Sequence, residues 1–296
     1  ALSVYSCAIV TISYQNSPNL DEVAHLPAGT SNWISGRFDL YRVNPPLVRM
    51  VASLGGNVAE PQYDWSAWVG DDPYARTEFS LGAQFLAVNR ARAFRVFFFS
   101  RLACLPFLWL GALVCYWWGK ELYGVRCGWT ALLLYCTCPN LLAWGASITP
   151  DAAAAAMGAF AAYVYWKWLG QPSWPRALSA GLVLGLAELT KTTWIVLFGL
   201  WPLLWFWCRF GPALARPDTG DAPKSVHPMS TRSLPLRTAI LHGMTILGVA
   251  LYVLNLGYGF EGSGKRLGEY TFISHTLTGV ERPLQGGNRF LSLIHI

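Results

Sequence analysis

Val96–Trp118 is a run of 23 residues broken by one charge, Arg101. A stretch of that length and polarity fits the hydrocarbon core of a bilayer, which takes about 20 apolar residues in helical form. Arg101 lies near one end of the run, where a long side chain reaches the interface. Further apolar runs follow at about 127–148, 152–169, 177–192, 194–210 and 240–260. Hydrophobic residues make up 53% of the chain and charged residues 13%, against about a quarter charged in soluble domains. The pattern predicts an all-α polytopic membrane protein. Its excess of six positive charges reads as basic cytoplasmic loops rather than a nucleic-acid surface.

The loops at 119–126, 167–176 and 209–237 are basic, which assigns them to the cytoplasmic side. Alternation then puts Thr149–Asp151, Glu188–Lys191 and a long first loop, about 13–95, on the extracytoplasmic side. The seven cysteines have no CxxC spacing and lie in or beside apolar runs, so they read as reduced packing residues. Ala1–Ile12 is too short to span a bilayer, so the chain is expected to begin inside a transmembrane helix. Leu291–Ile296 (LSLIHI) matches one reading frame of a sequencing adapter and is expected to be foreign to the protein.

Within the first loop, Asp21–Leu47 (DEVAHLPAGTSNWISGRFDLYRVNPPL) is the long polar and aromatic segment around which the rest is organised. Asn19 or Asp21 is placed to cap a short helix. Asp21 and His25, four residues apart, then share a helix face, so that a carboxylate holds the imidazole. Gly29, Gly36 and Pro45-Pro46 are expected to break the segment into short pieces lying along the membrane surface. Leu47–Val58 is amphipathic and carries Arg49.

Asp21, Glu22, Asp151, Glu188 and Lys191 are costly in lipid, and ionisable groups at such positions point to function. Each also has a plainer reading. Asp151 caps the helix that Thr149-Pro150 opens. Lys191 snorkels, or pairs with Glu188 three residues before it. Asp21 and Glu22 make a solvated helix start, and His25 is a structural hydrogen-bonder. Convergence on one membrane face is what favours the functional reading. In that reading a carboxylate takes the proton of an attacking hydroxyl, and a cation at headgroup depth, Lys191, Arg49 or Arg101, holds a lipid-linked phosphate.

The order of these elements resembles the GT-C glycosyltransferases: DE with His25 three residues later, GRFDLY, NPPL, a long loop, a TPD turn opening an alanine-rich helix, and LTK. Within that superfamily it is most similar to bacterial relatives of the protein O-mannosyltransferases and of the lipid A aminoarabinose transferase. The segments YGFEG (258–262) and GNRF (287–290) extend the likeness to a further group of members. The resemblance implies a GT-C-type transmembrane helix bundle with a long first extracytoplasmic loop carrying juxtamembrane helices, residues 1–290 forming one catalytic domain in the cell membrane.

It further implies an inverting transferase with a polyprenyl-phosphate sugar as donor and an extracytoplasmic acceptor. Asp21 matches the catalytic base, with Glu22 beside it, and Asp151 the second carboxylate. Lys191 matches a residue that meets the lipid phosphate, while His25, Arg49, Tyr41 and Asn44 fall among the substrate-binding positions. A divalent metal is compatible with the resemblance without being required by it. Asn44 stands where the eukaryotic mannosyltransferases carry His, so their acceptor specificity does not carry over to this chain by resemblance. A secondary transporter or lipid flippase is the competing class; it predicts internal repeats and midspan acids, whereas here the carboxylates sit at span ends.

Overall fold

The computed structural model describes residues 1–68, 76–211 and 234–266. The proposed basic loop at 211–236, most of the tail at 261–290 and Leu291–Ile296 lie outside these residues or only at their edges. The described chain is all helical: α1 (Leu2–Gln15), α2 (Leu20–Ser35), α3 (Leu47–Gly56) with a 3-10 turn at Asn57–Ala59, α4 (Thr77–Asn89), α5 (Ala91–Ala103) and α6 (Leu105–Tyr123). Then come α7 (Val125–Thr137), α8 (Pro139–Gly145), α9 (Pro150–Gly170), α10 (Trp174–Glu188), a 3-10 turn at Thr192–Ile195, α11 (Val196–Phe210) and α12 (Leu236–Gly257).

Among the described residues three stretches are long and apolar enough to cross a membrane: Ala91–Tyr123, Thr192–Phe210 and Leu236–Gly257. Six were expected. The run at 127–148 is cut by Pro139, which holds Cys138 extended and separates α7 from α8. The run at 177–192 ends as helix at Glu188. Helix α9 has 21 residues, but Asp151, Lys167 and the Tyr and Trp residues of its second half leave it less apolar than the three spans, and it packs against α6 and α10. The run from Val96 belongs to a longer one that opens at Ala91 and is interrupted at Cys104. The segment at 13–95 is mostly helical, holding the end of α1, α2, α3, α4 and the start of α5.

Two packed regions position the candidate site. Met157, Ala161, Trp168, Ala180, Leu184 and Ile246 join α9, α10 and α12. Val23, Leu26, Val48, Ala52, Phe85 and Val96 join α2 and α3 to α4 and α5, and Ile148 and Ala153 enter the same cluster from the start of α9. Helices α2, α3 and α4 are thus joined to α5 and α9 through one apolar cluster.

Candidate active site

Asn19 is the residue that caps α2. Its side-chain Oδ1 accepts from the Glu22 backbone N–H, and the Asn19 N–H donates back to Glu22 Oε2, both at 2.9 Å. This reciprocal arrangement satisfies two otherwise orphaned amides. It turns the two adjacent acids in opposite directions, with Asp21 exposed and Glu22 fully buried.

Glu22, expected beside the catalytic base, is engaged as a structural anchor. Its Oε1 accepts from Arg101 Nε at 2.8 Å and from the Ile148 N–H at 3.0 Å, and its Oε2 accepts from Arg101 Nη2 at 2.7 Å as well as from Asn19. Arg101 in turn donates to the carbonyls of Ser13, Asn16 and Ser17. All five guanidinium N–H bonds and four acceptor sites of the carboxylate are used, so neither side chain has capacity left for a substrate. Arg101 therefore does not snorkel. It is 2% exposed, because the pair locks α5 to the α1–α2 linker and to the turn that precedes α9.

Helix α2 continues unbroken through Pro27 and Gly29 and ends at Gly36, in the left-handed conformation. The expected break at Gly29 is instead a close approach: a Cβ there would run into the Arg49 carbonyl of α3. Asp21 and His25 share α2, but no hydrogen bond joins them among the described residues. The His25 ring packs edge-on against Tyr41 at 4.4 Å, with Nδ1 buried and unpartnered. Burial first, and Arg49 second, push His25 down to about 3, so its imidazole is neutral.

Tyr41 takes a positive φ of 59°, uncommon for a bulky residue. This turn carries its ring inward over His25. Its hydroxyl is pushed up to about 12, by burial and then by the charge of Asp21, which places Asp21 within electrostatic reach of Tyr41. Arg49 is 1% exposed. It donates from Nε to Asn32 Oδ1 at 2.9 Å and from Nη1 to the carbonyls of Tyr41 and Asn44 at 2.6 and 3.0 Å, while Nη2 has no partner. Burial pushes it down to about 10, which leaves it charged at neutral pH. Among the described residues no carboxylate lies within ion-pair distance of Arg49.

The second half of the site comes from α9 and the segment after α10. Pro150 opens α9 and Asp151 stands in its first turn, with Thr149 at the cap position. Asp151 Oδ1 accepts from Lys191 Nζ at 2.7 Å. The pairing of Lys191 with Glu188 does not form. Helix α10 ends at Glu188 and Lys191 is extended (φ −156°, ψ 131°), so the one-turn spacing that pair needs is lost. Glu188 is buried with Oε1 unpartnered.

Hydrogen bonds close these parts into a circuit. Asn19 Nδ2 donates to Ser147 Oγ at 3.2 Å, two residues before the cap of α9, and the Leu47 N–H donates to the Leu189 carbonyl at 3.1 Å, two residues before Lys191. Asp21, His25, Tyr41, Asn44, Arg49, Asp151 and Lys191 are thereby gathered on linked elements.

Two contributions were not legible in the sequence. Arg76 pairs with buried Glu78 and lies over the Tyr41 ring, 6.0 Å from its centroid. After α12, Tyr258 packs on Phe38 at 5.3 Å between centroids, and Glu261 accepts from the Phe38 N–H at 2.8 Å. Burial raises the Tyr258 hydroxyl and the charge of Arg49 opposes the shift. The YGFEG segment was the available signal for this contact. Among the described residues no group of three or more His, Cys, Asp or Glu side chains is placed to hold a metal.

Comparison with protein-family models, with curated proteins and with solved structures finds no match for this chain.

Proposed function

We propose that this chain is a multi-pass membrane glycosyltransferase that moves a sugar from a polyprenyl-phosphate donor to an extracytoplasmic hydroxyl on a lipid, glycan or protein. The observation that carries the reading is the pairing of opposites around Tyr41. Asp21 is exposed and its charge acts on the Tyr41 hydroxyl, while buried Arg49 donates to the Tyr41 carbonyl and leaves Nη2 without a hydrogen-bond partner. Arg49 is hydrogen-bonded through Nε and Nη1 and feels the charge of Glu78, but its buried Nη2 is open, and an anionic ligand group would satisfy it. A phosphate on a membrane-anchored tail meets this need, and the three apolar spans supply the tail's surroundings.

In this reading the acceptor hydroxyl gives its proton to Asp21 as its oxygen forms a bond to the anomeric carbon. The bond from that carbon to the phosphate oxygen breaks, and the electron pair leaves on the phosphate. The leaving group needs charge stabilisation rather than a proton, which Arg49 and Lys191 supply. Asp151 competes with the donor for Lys191 and orients the acceptor. The site opens on the extracytoplasmic side of the cell membrane, the bacterial inner membrane in the setting that the resemblance implies.

The test is transfer by the full-length protein in liposomes supplied with polyprenyl-phosphate sugars and a hydroxyl acceptor. Release of polyprenyl phosphate together with glycosylated acceptor is expected. Movement of intact lipid-linked sugar across the bilayer without cleavage would overturn the proposal in favour of a flippase.

A further inference from the structure

The turn that carries Tyr41 is held from outside. Residues 37–44 belong to no helix, and Tyr41 among them stands at positive φ, a conformation that persists in a bulky residue only where its surroundings impose it. Side chains from other elements hold this backbone. Ser35 Oγ accepts from the Arg37 N–H at 3.2 Å, Asn32 Nδ2 donates to the Arg37 carbonyl at 2.8 Å, and Arg49 Nη1 donates to the carbonyls of Tyr41 and Asn44. Asn32 and Arg49 are buried and bonded to each other. A further anchor arrives from 223 positions along the chain: Glu261 Oε2 accepts from the Phe38 N–H at 2.8 Å.

The chain beyond α12 is shaped to deliver that carboxylate. Gly259 and Phe260 both take positive φ, 56° and 59°, so the chain reverses as it leaves the helix. The Phe260 N–H donates to the Asn255 carbonyl at 2.8 Å and the Glu261 N–H to the Tyr258 carbonyl at 2.9 Å. The Phe260 ring packs edge-on against Tyr252 at 5.7 Å, while Tyr258 lies against Phe38. Gly257, the last residue of α12, lies against Leu189, two residues before Lys191. One end of α12 thus touches both halves of the site. The Glu261 contact is exposed, so making it desolvates little, and a carboxylate on an amide N–H is a charge-assisted bond. It is the anchor that can open without uncovering a buried group.

We infer that Glu261 is a positioning residue: its carboxylate latches the 37–44 turn to the end of α12, and so keeps Tyr41 over His25 and the carbonyls of Tyr41 and Asn44 in place for Arg49. A loosened turn leaves only a fraction of molecules with the pocket formed, and apparent affinity for a ligand of that pocket falls by the same fraction. The latch rests on the contact geometry, and its effect on donor binding rests on the transferase reading.

The test is hydrogen–deuterium exchange read by mass spectrometry on the full-length protein in nanodiscs, with wild type beside Glu261→Ala and Glu261→Gln. Glu261→Ala should speed exchange in peptides covering 37–44 by about tenfold, as loss of one hydrogen bond to a charged group does, and leave peptides of α6 and α9 unchanged. Glu261→Gln, whose amide oxygen still accepts, should stay close to wild type. Equal exchange in wild type and Glu261→Ala would overturn the latch. So would acceleration spread over the whole chain, which would make Glu261 an ordinary stabilising residue. In the same samples Glu261→Ala should weaken binding of undecaprenyl phosphate by a factor similar to the exchange change, and raise KM for a polyprenyl-phosphate sugar with kcat retained. Faster exchange with unchanged binding of that phosphate would overturn the positioning role. A wild-type protein that shows the exchange difference but neither binds nor transfers would remove the transferase reading and leave the latch standing.

Discussion

Lys191 Nζ lies 2.7 Å from Asp151 Oδ1, joining the segment that follows α10 to the first turn of α9. Their side chains are 33% and 39% exposed, and pairs that open to solvent contribute about 0.2–1 kcal/mol. A double-mutant cycle with Lys191→Gln and Asp151→Asn is expected to give a coupling energy below about 1 kcal/mol in thermal or denaturant unfolding. Lys191→Gln should weaken affinity for a polyprenyl-phosphate sugar more than it lowers the melting temperature. A lowered melting temperature with unchanged affinity would remove Lys191 from the donor site.

The Glu22–Arg101 pair is the opposite case. Removing one partner leaves a charge buried and unpaired, and Glu22→Gln or Arg101→Met should cost about 3–5 kcal/mol, read as loss of folded protein and a fall in melting temperature. Replacing both residues with apolar ones should restore little. The Ile148 amide and the carbonyls of Ser13, Asn16 and Ser17 would lose their partners together.

These two pairs show what the sequence carries and what it hides. The span at Val96–Trp118, the helix starts at Asn19 and Pro150, and the importance of Asp21–Leu47 follow from apolar runs, caps and composition, which are local signals. The adjacent acids Asp21 and Glu22 are alike on paper. Which of them turns inward depends on Arg101, 79 positions away from Glu22, and only the tertiary arrangement decides it. The plainer reading of Lys191, a pair with Glu188 on one helix, fails because the helix ends three residues before Lys191. The three spans found among the described residues in place of six reflect breaks at Cys138 and after Glu188, together with α9, whose Asp151, Lys167, Tyr and Trp residues make it less apolar than a span.

His25 gives stability a pH dependence. Its folded value, about 3, lies below the ordinary 6.5, so between these values the unfolded chain binds the extra proton. Stability from this residue is therefore full above about pH 6.5 and is lost as pH falls, at up to about 1.4 kcal/mol per pH unit. Denaturant unfolding between pH 5 and 7.5 should show wild type losing stability relative to His25→Gln on the acid side. Parallel curves would mean that the imidazole is not held neutral.

Gly29→Ala should be destabilising by about 1–3 kcal/mol, because the new methyl group meets the Arg49 carbonyl. The same backbone shift displaces the guanidinium, so donor affinity should fall together with stability. A variant as stable as wild type would contradict the close approach of α2 and α3.

The central claim is that exposed Asp21, and not buried Glu22, removes the acceptor proton. Asp21→Asn keeps the shape of an exposed side chain and removes its basicity, so the melting temperature of the full-length variant should be unchanged. Turnover with a polyprenyl-phosphate sugar and a hydroxyl acceptor should fall by about a hundredfold to ten-thousandfold, the usual contribution of a positioned general base. A well-folded Asp21→Asn protein that kept more than about a tenth of wild-type turnover, far outside that range, would contradict the account.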